Sequence, residues 1–175
     1  MALSTRLTER FELLHPIISA PMAFAAGGRL AAAVSRGGGL GLIGGGYGDR
    51  AWLAEQLELA GSSSFGCGFI TWSLARQPEL LDLVLARQPK AILLSFGDPA
   101  PFVARIKDAG AALICQVQTR RDAAHALDCG ADVIVAQGAE AGGHGEMRAT
   151  FTLVPEVADL IRQRAPHTLL CAAGG

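Results

Sequence analysis

Short apolar runs alternate with amphipathic helical patterns along the whole chain. Runs rich in Val, Ile, Leu and Ala, each followed by glycine or polar residues, predict buried β-strands. The predicted strands cover residues 17–20, 40–43, 65–70, 91–95, 112–117, 133–136 and 169–172. Helical patterns between them predict helices near residues 29–35, 50–59, 79–87, 101–109, 121–129 and 155–164.

The regular alternation of strand and helix predicts an α/β fold with a parallel sheet and crossover helices. A doubly wound sheet and a (β/α)8 TIM barrel both satisfy this pattern. No G-x-G-x-x-G lies between the first predicted strand and the first predicted helix, which favours the barrel. Because such a barrel needs roughly 200 residues, we expect one domain over residues 1–175, truncated after about the seventh strand.

Composition and charge indicate what kind of molecule the protein binds. The chain has 50% hydrophobic residues and a formal net charge of −1, with no run of Lys and Arg. This balance gives no general attraction for nucleic acid or an anionic membrane. The N-terminus carries charges where a signal peptide needs an apolar core. We therefore expect a cytoplasmic protein with a small-molecule partner, and a homodimer is compatible with the sequence.

The four cysteines are far apart in the sequence. They are Cys67, Cys115, Cys129 and Cys171, and no two form a C-x-x-C pair. Thiols inside apolar runs usually pack as small hydrophobic groups. We expect neither a disulfide framework nor a metal site.

In a barrel, the segments that follow the strands converge on one face. Here these segments are rich in glycine and amides and poor in charge; they cover residues 20–22, 44–46, 66–72, 95–98, 116–118, 137–144 and 174–175. Such a lining suits a planar, hydrogen-bonding cofactor better than a metal ion. For Phe69 and Trp72, a pocket wall and a core position remain alternatives, and Asp98 is predicted to begin a helix.

The segment 137–144 (QGAEAGGH) is the most informative part of this face. Gly142 and Gly143 permit close approach of a ligand to the backbone and unusual φ angles. His144 is the only histidine on the predicted face, and an imidazole suits removal of a proton from carbon near neutral pH. The acidic neighbours Glu140 and Glu146 receive no assigned role.

At residues 15–23, 38–43, 66–72, 130–144 and 172–175 the chain resembles the nitronate monooxygenases, also called 2-nitropropane dioxygenases. These are FMN-dependent TIM-barrel enzymes. The resemblance implies that His144 is the catalytic base. It also implies a set of FMN-binding positions: Ala20, Pro21, Met22, Gly68, Gln116, Gln137, Gly142, Gly143, Gly174 and Gly175.

Gly68 departs from the family pattern, because many relatives have an asparagine there that contacts the flavin. In this chain the contact is lost or replaced by backbone. The expected activity is oxidation of alkyl nitronates or nitroalkanes by O2 to carbonyl compounds and nitrite. Two alternatives share the Gly-Gly-His segment: an FMN-dependent enoyl-acyl-carrier-protein reductase and an NAD(P)H:quinone reductase. A third alternative is an inactive, truncated flavin-binding fragment.

Overall fold

The computed structural model describes residues 3–174, which contain one parallel sheet of six strands. The strands are β1 (Leu42–Gly44), β2 (Gly66–Ile70), β3 (Ala91–Ser95), β4 (Ala112–Val117), β5 (Val133–Gln137) and β6 (Leu169–Ala173). The helices are α1 (Arg6–Phe11), α2 (Gly28–Arg36), α3 (Arg50–Ala60), α4 (Thr71–Leu74), α5 (Glu79–Leu85), α6 (Ala100–Asp108), α7 (Arg120–Asp128) and α8 (Thr150–Arg164).

The strand order separates the two predicted architectures. Each strand pairs in parallel with the next one in the sequence, from β1 to β6. A doubly wound sheet would reverse its order at a switch point, and no reversal occurs in the described residues. The fold is therefore that of the predicted (β/α) barrel, open between β6 and the segment before β1. A cavity of about 690 Å³ lies between these two edges.

The first predicted strand, residues 17–20, is reduced to a single bridge between Ile18 and Leu40. The Ser19 N–H donates to the Leu40 carbonyl at 3.0 Å. In a parallel ladder the next donor on this segment would be residue 21, but Pro21 has no N–H. The prediction of a full strand here was wrong, because proline ends the pairing.

Two apolar layers cover the sheet, as the uninterrupted hydrophobic strands predicted. Alternate residues such as Ala91 and Leu93 point into the barrel, whereas Ile92 and Leu94 pack against the helices. Helix α1, which was not predicted, adds Leu7 and Phe11 to the inner layer.

The helices largely follow the predictions, and two of them begin at residues whose side chains cap the helix. Asp49 accepts a hydrogen bond from the Trp52 N–H, and Thr119 accepts one from the Asp122 N–H. The exception is α8, which begins five residues before its predicted start at Pro155. None of the helices in residues 3–174 has the length and apolar character needed to cross a membrane.

Candidate active site

A cavity of about 340 Å³ lies at the carboxyl ends of the strands. Nine of the eleven predicted site positions line it: Ala20, Pro21, Met22, Gly68, Gln116, Gln137, Gly142, Gly143 and His144. Residues from the ends of β2, β4 and β5 therefore meet those of the Ala20–Met22 turn, as expected for convergent strand ends.

The other two predicted positions do not line this cavity. Gly174 follows β6 and lies against the side chain of Thr150, where a Cβ atom would overlap the threonine hydroxyl. Gly175 lies outside the described residues. Their predicted contact with a phosphate group stays a prediction.

Among the described residues that line the cavity, only His144 and Tyr47 have titratable side chains. A neutral phenol is a weaker base than an imidazole, so tyrosine is the poorer proton acceptor. The His144 imidazole is thus the one group in this lining suited to accept a proton.

The His144 loop combines bare backbone with an aromatic contact. Gly143 has a φ angle of +84°, and no atom lies within 4 Å of the position that a Cβ would take at Gly142 or Gly143. The ring of Phe96 lies 5.8 Å from the His144 ring, with an interplanar angle of 58°. Phe96 itself has a φ angle of +59°, a left-handed conformation that is uncommon for an aromatic residue. The aromatic contact therefore depends on a strained residue at the end of β3.

Three glutamines connect β4, β5 and the His144 loop. The Oε1 atom of Gln137 accepts hydrogen bonds from the Nε2 atoms of Gln116 at 2.6 Å and Gln118 at 2.7 Å. The Gln137 Nε2 donates to the carbonyls of His144 at 3.1 Å and Gly142 at 3.4 Å. Gln137 is only 7% exposed. Its buried side chain therefore holds the His144 loop against the ends of β4 and β5.

These bonds separate the roles of the two glutamines predicted to bind FMN. Both amide atoms of Gln137 are engaged with protein groups, so this side chain positions the loop. The Oε1 of Gln116 has no hydrogen bond to any group within residues 3–174. Gln116 thus retains a free acceptor at the cavity, whereas Gln137 has no amide atom free of protein partners.

Glu140 caps the N-terminus of α8. Its Oε2 accepts hydrogen bonds from the Thr150 hydroxyl at 2.7 Å and the Thr150 N–H at 2.8 Å. These bonds hold the pKa of the Glu140 carboxyl below its ordinary value. The residue at the N-cap position, Ala149, cannot cap with its own side chain. Glu140 therefore sets where the helix begins, and it anchors the far end of the loop that carries His144.

We expect the Glu140→Gln substitution to destabilise the protein at neutral pH but not in acid. A carboxyl whose pKa is lowered by folding stabilises the native state above its ordinary value of about 4.3. This contribution is lost as the pH falls through the lowered pKa. The thermal midpoint of the wild type should exceed that of the variant at pH 7, and the difference should close below about pH 4.

The matched control is Glu146→Gln, which changes an exposed glutamate of the same loop. It should show no comparable pH-dependent difference. A constant gap between Glu140→Gln and wild type from pH 7 to pH 3 would contradict the capping role.

Gly68 allows the Pro21 ring to lie directly against β2. A Cβ atom at position 68 would overlap the Cβ and Cγ atoms of Pro21. Since Pro21 also lines the cavity, the absence of a side chain at Gly68 shapes this part of the cavity wall.

We expect Gly68→Ala to reduce the free energy of unfolding by about 1–3 kcal/mol, because the methyl group displaces Pro21. Urea unfolding measures this loss. Gly142→Ala is the control, since its Cβ would enter open space, and it should change stability by less than about 0.5 kcal/mol. Equal stabilities of the two variants would contradict the close contact at Pro21.

A row of exposed aromatic side chains extends from the cavity across the neighbouring loops. Tyr47, which lines the cavity, stacks on Phe24 at 6.3 Å and lies 6.2 Å from Trp72. The Arg76 guanidinium lies 5.1 Å from the Trp72 ring centre. Of the two aromatic residues with open assignments, Phe69 lines the cavity and is also buried in the core, whereas Trp72 belongs to this outer row.

The pKa of each of the four cysteines is shifted upward, away from thiolate formation. Burial raises the pKa of Cys67, and it raises the pKa of Cys115 to about 12. Burial also raises the pKa of Cys171 and of Cys129. A protonated thiol is a weak nucleophile, so the chemistry of this face rests on the imidazole.

Sequence reasoning missed three contributors to the site. Phe96 and Gln118 lie in segments that were placed on this face, but nothing in the sequence indicated that one contacts His144 and the other binds its loop. Tyr47 follows the glycine-rich end of β1, and its position would have been found by extending that segment by one residue.

The nitronate monooxygenase family profile matches residues 4–61 and 71–175. A Mycobacterium tuberculosis (3aS,4S,5R,7aS)-5-hydroxy-7a-methyl-1-oxo-octahydro-1H-indene-4-carboxyl-CoA dehydrogenase is 29% identical over 100% of the chain and 49% of its own length. A nitronate monooxygenase of Neurospora crassa is 33% identical over 91% of the chain and 53% of its own length.

A solved structure of a FabK variant from Thermotoga maritima superimposes with a TM-score of 0.87 at 30% identity. The alignment covers 98% of the chain and 57% of FabK. The chain thus spans about half the length of the relatives it matches. With the family profile matched along nearly all of its residues, the chain belongs to the nitronate monooxygenase family.

Proposed function

We propose that the chain provides the FMN site and the proton acceptor of an enzyme that oxidises alkyl nitronates or nitroalkanes with O2. The products are a carbonyl compound and nitrite. The observation that carries the proposal is the position of His144 in a cavity whose lining has no better proton acceptor. When bound, FMN would accept electrons from the substrate carbon and pass them to O2.

The cavity suits a planar cofactor with hydrogen-bonding edges. Pro21 and Met22 offer an apolar wall, the Gln116 Oε1 offers an acceptor, and the Gly142–Gly143 backbone is open to approach. The second cavity, of about 690 Å³, shares Ala20, Pro21 and Gln116 with the first and gives further room. In this proposal, Gly174 and Gly175 face the phosphate.

His144 would take the proton from the α-carbon of a neutral nitroalkane, and the electron pair of the C–H bond would delocalise onto the nitro group. With a preformed nitronate, the imidazolium form would pair with the anion instead. The Phe96 ring lies beside the imidazole of His144, which is exposed to solvent. The glutamine network holds the loop backbone, so the imidazole is positioned before substrate arrives.

A reductase of the same family is the second candidate. It is favoured by the similarity to FabK and to a CoA-thioester dehydrogenase, and by the row of Phe24, Tyr47 and Trp72. Such a row offers a large apolar surface to a bulky substrate. We favour nitroalkane oxidation because it requires a single proton acceptor, and His144 provides one at the cavity.

The electron donor distinguishes the two candidates. The flavin-loaded protein is mixed anaerobically with propionate 3-nitronate or with NAD(P)H, and the flavin absorbance is followed. Bleaching by nitronate, together with aerobic nitrite release, is the expected result. Bleaching by NAD(P)H alone would reject nitronate oxidation in favour of the reductase, and absence of flavin binding would indicate an inactive fragment.

A further inference from the structure

Asp98, His125 and Cys129 bring three different metal-ligating side chains together outside the candidate active site. Asp98 lies between β3 and α6, His125 lies in α7, and Cys129 follows α7 directly. The Asp98 Oδ1 is 2.8 Å from the His125 Nε2, and the Cys129 Sγ is 3.8 Å from the same nitrogen. All three ligand atoms lie within 4.8 Å of one another.

The two separations from the His125 Nε2 are close to those of a tetrahedral zinc site. With bonds of about 2.0–2.3 Å, the ligand atoms around Zn²⁺ are roughly 3.4–3.6 Å apart. The Cys129–His125 separation of 3.8 Å already approaches this range. The Asp98–His125 hydrogen bond would lengthen by less than about 1 Å when a metal replaces the shared proton.

The backbone supports the arrangement on both sides. His125 and Cys129 are four residues apart and share one face of α7. The Ala100 N–H donates to the Asp98 Oδ1 at 3.0 Å, which fixes the carboxylate at the start of α6. Two short segments therefore hold all three ligands without long flexible connections.

The surroundings favour a cation and leave room for water. Asp98 and His125 line a cavity of about 450 Å³ together with Asp122, Glu146 and Arg121. Three carboxylates against one guanidinium make this surface acidic on balance. A water molecule from the cavity would complete a four-ligand set.

A purely structural role is the alternative: Asp98 pairs with His125 and accepts a hydrogen bond from the Ala100 N–H. This role would explain the positions of Asp98 and His125, but it does not require the Cys129 thiol beside the imidazole. Metal binding would release the proton of the Cys129 thiol.

We propose that Asp98, His125 and Cys129 form a site for a divalent metal ion of the zinc class. A nitrogen, sulfur and oxygen ligand set suits Zn²⁺ and Co²⁺ better than Mg²⁺ or Ca²⁺, which prefer oxygen alone. The sequence predicted no metal site, because Asp98 and His125 are 27 positions apart in the chain. Only folding brings their side chains together.

Metal binding would tie the β3–α6 segment to α7. Phe96, two residues before Asp98, contacts the His144 ring. The proposed metal site is therefore joined to the active site through residues 96–98. Metal binding would stabilise the conformation in which Phe96 contacts His144. This inference does not depend on the identity of the substrate.

Titration of the 175-residue chain with Co²⁺, followed by absorbance, tests the proposal. Wild type should show a thiolate-to-metal charge-transfer band that saturates at one equivalent and is abolished by Zn²⁺. Cys129→Ala and Cys129→Ser should lose the band, and His125→Ala should weaken binding by at least about ten-fold. The controls Cys171→Ala and His167→Ala should retain it, since both residues lie outside the cluster.

Thermal unfolding supplies a second readout, because a ligand that binds only the native state raises its stability. Zn²⁺ should raise the midpoint of wild type and of both controls but not of the His125→Ala variant, whose change is on the surface. Absence of the band in wild type, or its persistence in both Cys129 variants, would overturn the proposal. Equal Zn²⁺ stabilisation of wild type and His125→Ala would overturn it as well.

Discussion

Replacing His144 with alanine should lower kcat/KM for nitroalkane oxidation by about 10²- to 10⁴-fold, the usual contribution of a positioned general base. The loss should be largest for neutral nitroalkanes, whose α-carbon must lose a proton. It should be smaller for preformed nitronates, which need only charge pairing. Aerobic nitrite release from 2-nitropropane and from propionate 3-nitronate measures the two losses.

The control for this prediction is His15→Ala, which removes an exposed imidazole outside the cavity. It should leave nitrite release unchanged, and both variants should retain the flavin spectrum of wild type. Nitrite release by His144→Ala at the wild-type rate would remove His144 from the mechanism. An equal loss with both substrates would show that its role is not proton transfer.

Replacing Gln137 with leucine should both destabilise the fold and impair the site. The Nε2 donors of Gln116 and Gln118 would lose their acceptor, and the carbonyls of Gly142 and His144 would lose their donor. Leaving partly buried polar groups without partners costs about 1–3 kcal/mol. We expect a lower urea midpoint and, in the flavin-loaded protein, a lower kcat/KM because the His144 loop is released.

Gln163→Leu is the matched control, because it makes the same chemical change at an exposed position of α8. Its urea midpoint should stay close to that of wild type. If Gln137→Leu unfolds at the same urea concentration as Gln163→Leu, the glutamine network does not hold the loop.

The strand pattern was predictable because it depends on local composition. β3, β4 and β5 are short hydrophobic runs with glycine or polar residues at their ends, and Thr119 caps the helix that follows β4. The bridge at Ile18 was harder to predict, because its length depends on one missing N–H at Pro21. The order of the strands in the sheet could not be predicted either, because alternating strands and helices fit both a barrel and a doubly wound sheet.

The start of α8 was missed for a different reason. Proline is favoured in the first turn of a helix, which suggested a start near Pro155. The true start depends on the Glu140 carboxylate, ten residues before Thr150. No local pattern around Thr150 shows this capping interaction.

The sequence predicted most of the residues that line the candidate site. It did not predict what each of these residues contacts. The segment 137–144 and the resemblance it carries indicated most of the cavity lining. The engagement of both amide atoms of Gln137, the contact of Phe96 with His144 and the cluster at Asp98 all join residues from different strands or helices. Such contacts arise from tertiary packing, which one sequence does not display.

A crystal structure of the protein with FMN bound tests the central claim most directly. We predict electron density for the isoalloxazine ring in the cavity, with Pro21 and Met22 on its apolar side and the His144 imidazole facing the space beside it. An isoalloxazine ring bound elsewhere, or an imidazole rotated out of the cavity when FMN is present, would contradict the account.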